Sequence, residues 1–146
     1  MILANPAIKF ITFGCFRALK GRGRITRIAA MPTRTDISPL TNPSPNLAET
    51  FADGLAVRVP VEEAFHIYSK GVERIISVSE EEIADAIRLY YKTTHIVAEG
   101  AGAAALAGLM QEKEIMEGKS VGIILSGANI DTDMLHTILG GSVPKT

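Results

Sequence analysis

Residues Lys119 to Asp131 read Lys-Ser-Val-Gly-Ile-Ile-Leu-Ser-Gly-Ala-Asn-Ile-Asp, a short apolar run that stops abruptly in a turn of small polar residues. A run of this length and β-branched content predicts a buried strand through Val121, Ile123, Ile124 and Leu125. Such a strand delivers Ser126 to the carboxyl edge of a sheet, the edge at which open α/β folds hold ligands. Ser126 is therefore a candidate to face one. Upstream, Glu99-Gly-Ala-Gly-Ala-Ala-Ala-Leu-Ala places one carboxylate before a stretch almost without side-chain bulk. Such a stretch admits close approach of backbone or of a cofactor.

Around these two segments the pattern alternates helix and strand. Pro60 or Val61 opens a helix that Gly71 closes, with Ala64, Phe65 and Tyr68 at helical spacing. Arg74 to Val78 predicts a short strand. Ser79 and Glu82 form a capping-box pair ahead of a helix whose inner face carries Ile83, Ile87 and Tyr90 or Tyr91. A further helix is expected from about Gly100 to Glu114, ending near Gly118, and a last one from about Thr132 to Leu139. This alternation is that of an α/β fold.

With Glu49-Thr-Phe-Ala-Asp-Gly54 upstream, these segments make three motifs in order, and the chain from about Ala48 to Leu139 resembles the serine/threonine dehydratases. These are ammonia-lyases of the fold-type-II, tryptophan-synthase-β-like class of pyridoxal-phosphate enzymes. The resemblance implies the C-terminal part of such an α/β domain and pyridoxal phosphate as cofactor. It also implies an L-threonine or L-serine substrate deaminated to a 2-oxo acid and ammonia. By the same resemblance Ser126 pairs with the pyridine nitrogen, Glu99 lies beside the ring, and the Gly54 backbone lies against the cofactor. Ala128 stands where many members have glycine. The lysine that bonds the cofactor, in a Ser-Phe-Lys-x-Arg-Gly context, and a glycine-rich phosphate cup lie well upstream of the Ala-Asp-Gly motif in that family. Neither motif is found here, nor is the segment that holds the family's divalent ion. The chain is expected to be truncated and inactive alone. Two alternatives are a non-catalytic remnant or interaction module that associates with a full-length relative, and one piece of a split enzyme. Self-association, through an edge and an apolar face at Ile75, Ile76, Ile123 and Leu125, belongs to the same expectation.

Charge divides the chain near residue 48. Residues 1–48 hold seven basic groups, Lys9, Arg17, Lys20, Arg22, Arg24, Arg27 and Arg34, against Asp36 alone; the remainder holds eight basic and fifteen acidic groups, for an overall net charge of −1. Residues 1–47 thus form a basic, Pro-rich leader, expected to be poorly ordered or unrelated, and residues 48–146 the dehydratase part. Ile8 to Phe16 has the character of a strand, Arg17 to Arg27 shows no periodicity, and four prolines make residues 31–46 extended and loosely held. The leader is Arg-rich and acid-poor like a transit peptide, but low in serine. A single cysteine, Cys15, forms no internal disulfide, so a reducing, cytoplasmic setting is expected. The longest apolar stretch, Ala101 to Met110, is too short and too rich in Ala and Gly to span a bilayer, so no membrane association is expected. The basic run lacks interleaved stacking aromatics, which argues against a nucleic-acid partner.

Each candidate also has a plainer reading. Ser126 could simply cap the next turn, and Glu99 could sit at a helix N-terminus, favoured by the dipole. A buried carboxylate, which Glu99 is expected to be, needs a partner. Asp53-Gly54 fits a turn with positive φ at Gly54. Gly100-Ala-Gly102 is half a dinucleotide fingerprint without its third glycine or its acidic residue. Leu19-Lys20-Gly21-Arg22-Gly23 mimics Lys-x-Arg-Gly without the preceding Ser-Phe, and chance in a basic leader accounts for it better. His66, His95 and His136 lack metal-ligand spacing. Asn129-Ile-Asp131-Thr-Asp133 starts like a calcium loop but has Met134 at position six and Gly140 at position twelve. Asp131 better suits the cap of the last helix.

Overall fold

Apolar runs alternating with breakers give four strands and four main helices among the described residues. The computed structural model describes residues 14–20, 24–32, 49–56, 63, 66, 70 and 73–145, with the segments before residue 49 described by backbone alone. The strands are β1 (Gly14–Lys20), β2 (Arg24–Pro32), β3 (Arg74–Val78) and β4 (Ser120–Ile123); the helices are α1 (Glu80–Thr94), α2 (Gly100–Gln111), α3 (Lys113–Met116) and α4 (Thr132–Leu139). The strands form one sheet in the order β3-β2-β1-β4. β1 is antiparallel to β2, from Gly14 opposite Ala30 to Lys20 opposite Arg24, and antiparallel to β4, whereas β2 and β3 run parallel.

The strands β1 and β2 correct the expectation of poor order across Arg17 to Arg27. Ladder hydrogen bonds come from the backbone and are available to any residue but proline. Two strands flanked on both sides by others therefore form without an alternating pattern to announce them. The sheet thus draws strands from both sides of residue 48. Pro32 is tolerated because it closes β2 opposite Val78 at the strand's last position. The rest of the Pro-rich stretch, residues 33–46, lies outside the described residues.

α1 begins as its sequence dictates. The Glu82 N–H donates to the Ser79 hydroxyl at 3.1 Å and the Ser79 N–H donates to the Glu82 carboxylate at 2.7 Å. Glu80, Glu81 and Glu82 also place negative charge on the first turn, where the helix dipole favours it. The helix closes at His95, which takes the left-handed conformation at φ 58° and donates its N–H to the Tyr91 carbonyl at 3.0 Å. Ile83, Ala84, Ala86 and Ile87 are buried, Tyr90 is half-buried and Tyr91 exposed, which settles the inner face.

α2 is different in kind, since Gly100 to Ala105, Ala107 and Gly108 are buried or nearly so and Leu106 is half-buried. A helix without a polar face is a central helix, and α2 packs against α1, β1, β2 and β3. With Leu55, Val78, Ile83, Ile87 and Ile138 it forms the core. Met116, with Ile76, Leu109, Val121 and Ile123 against it, makes a smaller cluster beyond the end of α2.

Three boundaries differ from expectation. The helix expected from Gly100 to Glu114 breaks at Glu112, whose φ of −99° and ψ of 15° are not helical, and the chain turns at Gly118 with φ 72°. β4 stops at Ile123 because its pairing with β1 stops there, at Phe16, so Leu125 lies beyond the strand. Gly54 lies within a 3-10 turn, Asp53–Leu55, rather than a turn of positive φ. Glu63, His66 and Lys70 are helical and exposed, and the Lys70 ammonium lies 2.7 Å from His66 Nε2. Ala64, Phe65 and Tyr68, expected at helical spacing along that helix, lie outside the described residues. Among the described residues no helix is long and apolar enough to cross a membrane.

Two outcomes are expected. Ile87→Ala removes a fully buried side chain and costs about 2–5 kcal/mol, whereas Tyr91→Ala on the exposed side stays within about 0.5 kcal/mol; urea denaturation of both variants measures the difference. Burial also raises the Tyr90 hydroxyl above its ordinary pKa of 10.0. The unfolded chain ionises first, so this contribution to stability is whole below about pH 10 and is lost as pH rises through the folded-state value. Melting curves between pH 8 and 11 should show Tyr90→Phe flattening the alkaline fall.

Candidate functional site

Glu99 is the N-cap residue of α2, with extended backbone (φ −79°, ψ 167°). Its N–H donates to the Gly127 carbonyl at 3.1 Å, and its carboxylate accepts the Asn129 N–H at 3.0 Å. The start of α2 and the segment after β4 are thus linked in both directions. Glycine is required where they meet. A Cβ on Gly127 would run into the Glu99 carboxylate, and one on Gly102 would stand 2.5 Å from the Gly127 carbonyl oxygen. The lack of bulk in the Gly-Ala segment is therefore used for backbone approach.

The third motif reaches the same place. A Cβ on Gly100 would lie 2.8 Å from Ala52 Cα and 3.0 Å from the Phe51 ring. The segment is fixed by the Phe51 N–H donating to the Glu80 carboxylate at 3.1 Å and the Ala52 N–H donating to the Thr50 hydroxyl at 3.0 Å. Leu55, wholly buried, anchors the 3-10 turn from below. Asp53 and Gly54 remain exposed above it, with the Gly54 N–H donating to the Asp53 carboxylate at 2.8 Å.

A cleft of about 330 Å³ opens between the three segments. Phe51 and Asp53 line it from the first, Glu99 and Gly100 from the second, and Asn129, Ile130, Asp131 and Met134 from the third. Asp131 caps α4 as its sequence suggests, accepting the Asp133 N–H at 2.9 Å and the Met134 N–H at 3.3 Å. Glu99 is half-buried rather than buried, because its carboxylate turns to the rim to meet Asn129. Ser126 is exposed in the segment between β4 and the cleft, one residue before Gly127, and is not itself a lining residue. Gly54 likewise stands beside the lining, next to Asp53.

Sequence reasoning does not single out Phe51, Asn129 or Met134. Asn129 alone leaves a signal, as the fourth residue of the small polar turn. Asp53, Glu99 and Asp131 make the cleft acidic, and among the described residues its lining holds no Lys or Arg. Such a lining suits a neutral ring or a cationic group and repels a phosphate.

Comparison with known proteins identifies the family. A family model described as pyridoxal-phosphate dependent enzyme matches residues 11–127. The L-threonine ammonia-lyase of Thermotoga maritima is 40% identical over 147 residues, covering 97% of this chain and 32% of the relative. The L-threo-3-hydroxyaspartate ammonia-lyase of Saccharomyces cerevisiae is 33% identical over 96 residues, covering 66% of this chain and 29% of the relative. Among solved structures, a threonine deaminase from T.th. matches with a TM-score of 0.57 at 28% identity, over 71% of this chain and 40% of that one. The chain thus spans about a third of the length of the curated relatives it matches. It belongs to the pyridoxal-phosphate dependent enzymes and has their fold-type-II α/β architecture.

The glycine contacts give a direct test. Gly102→Ala forces a methyl against backbone and is expected to cost about 1–3 kcal/mol. Gly122→Ala, where nothing among the described residues lies within 4 Å, should be neutral or slightly stabilising. Paired thermal melts of the two variants distinguish these outcomes.

Proposed function

Since the chain belongs to the pyridoxal-phosphate dependent enzymes, we propose that it is the C-terminal part of an L-threonine/L-serine dehydratase and carries the ring side of the cofactor site. The convergence of Asp53, Glu99-Gly100 and Asn129 to Asp131 around one cleft, with Gly54 and Ser126 beside it, supports this reading most. Among the described residues the cleft lining offers carboxylates and no cation, which fits the ring of pyridoxal phosphate better than its phosphate. By the family resemblance, the Ser126 hydroxyl would pair with the pyridine nitrogen, Glu99 would lie beside the ring, and the Gly54 backbone would lie against the cofactor. When bound, the cofactor acts as the electron sink that allows the α proton and then the β-hydroxyl of the substrate to leave. A neutral hydroxyl partner holds a proton on the ring nitrogen less firmly than a carboxylate would, which suits β-elimination.

In this reading residues 48–146 are the dehydratase part and residues 1–47 a leader of different composition that lends two strands to the sheet. Among the described residues none of Lys70, Lys92, Lys113 or Lys119 lines the cleft, which supports the reading that the chain by itself turns over neither L-threonine nor L-serine. A second reading, an interaction module that pairs with itself or with a full-length relative, is favoured by the sheet edges β3 and β4 and by Ile124, which is 61% exposed. Ile75, Ile76, Ile123 and Leu125, expected on that face, are half-buried.

Titration with pyridoxal phosphate, followed by fluorescence, should show weak binding that Ser126→Ala weakens by about threefold to tenfold, in line with the loss of one hydrogen bond. No ammonia should be released from either amino acid. Ammonia release that disappears in Lys20→Ala would overturn the inactive reading. Sedimentation at several concentrations tests the second reading, and a monomer throughout removes its self-pairing form.

A further inference from the structure

Glu99 is bonded on two sides to the segment that carries Ser126, and this gives it a role apart from direct contact with a ligand. Its N–H reaches the Gly127 carbonyl at 3.1 Å and its carboxylate receives the Asn129 N–H at 3.0 Å, so the two contacts bracket Ala128. The carboxylate also occupies the space that a side chain at position 127 would need. No side-chain bond caps α2 itself, although Glu99 is its N-cap residue. The usual use of a polar N-cap side chain, accepting a helix N–H, is thus set aside. The carboxylate is directed away from its own helix and onto the loop.

We propose that Glu99 is a positioning residue: its carboxylate acts as a strap that fixes the Ser126 to Asn129 segment and thereby aims the Ser126 hydroxyl. Gly127 is the complementary half of the device. Between Ile123 and Thr132 the chain has no regular secondary structure, so the loop's backbone groups depend on partners of this kind. With the strap in place, residues 127 and 129 are tied to the rigid, buried α2. Without it, the loop keeps the Glu99 N–H bond to the Gly127 carbonyl but loses its hold at Asn129. The cofactor consequence rests on the reading of Ser126 given above, whereas the strap itself does not.

Hydrogen exchange of the full chain without cofactor tests the strap. Glu99→Gln keeps a side-chain oxygen acceptor and should leave Asn129 exchange within about threefold of the parent, while Glu99→Ala should speed it at least about tenfold. Gly127→Ala should do the same in the parent and add nothing in the Glu99→Ala background, where the colliding carboxylate is gone. Asn129 exchange unchanged in Glu99→Ala, or full additivity of the two substitutions, would overturn the strap. The aiming of Ser126 is tested by pyridoxal phosphate titration. Ser126→Ala and Glu99→Ala should each weaken binding, and the double variant should bind no worse than the weaker single variant. Independent, multiplicative losses would show that Glu99 does not act through Ser126. If the parent chain takes up no pyridoxal phosphate, the cofactor reading falls, and the exchange measurements still decide the strap.

Discussion

The approach of α2 to the loop after β4 is the contact on which the rest of the site depends. A helix with side chains of ordinary size at positions 100 to 108 could not lie in the centre of the molecule against the sheet, α1 and the 3-10 turn together. Gly102 lets the helix touch the Gly127 backbone, and Gly100 lets it touch Ala52. Any methyl added at either place meets backbone, which cannot rotate aside. The small residues therefore do not leave an empty cradle; they bring three distant segments close enough to share one cleft.

α1 serves as the second fixed body. At its first turn the Glu80 carboxylate accepts the Phe51 N–H at 3.1 Å, which holds the wall of the cleft formed by Phe51 and Asp53. Farther along, Arg88 donates to the Ile138 carbonyl at 2.9 Å and the Ser142 carbonyl at 3.3 Å while paired with Asp85 at 2.7 Å. Arg88 thus adds a second donor to the Ile138 carbonyl, which also accepts the Gly141 N–H, and reaches the Ser142 carbonyl beyond α4. The exposed pair with Asp85 adds little by itself, but it orients the guanidinium. One helix therefore positions both Asp53 on one side of the cleft and, through α4, Asp131 on the other.

The acidic lining makes the site one-sided. Asp53, Glu99 and Asp131 suit a ring or an ammonium group, whereas a phosphate needs backbone N–H groups or cations of the kind this cleft lacks.

Sequence by itself determined the elements whose signals are local. The capping box of Ser79 and Glu82, the inner face of Ile83 and Ile87, the strand from Arg74 to Val78 and the last helix with its Asp131 cap could all be read within a few residues. Each depends on hydrogen bonds or periodicity between near neighbours. The order of three motifs also identified the family. Tertiary structure alone decided that residues 14–20 and 24–32 form the middle of the sheet instead of a stretch without order, because backbone pairing does not require a side-chain pattern. It also decided that β4 ends at Ile123, where β1 ends its support, and that Glu99 turns to the cleft rim instead of into the core. Phe51, Asn129 and Met134 joined the cleft for the same reason: contacts between segments distant in the chain are set by how helices and strands pack, and no local spacing encodes them.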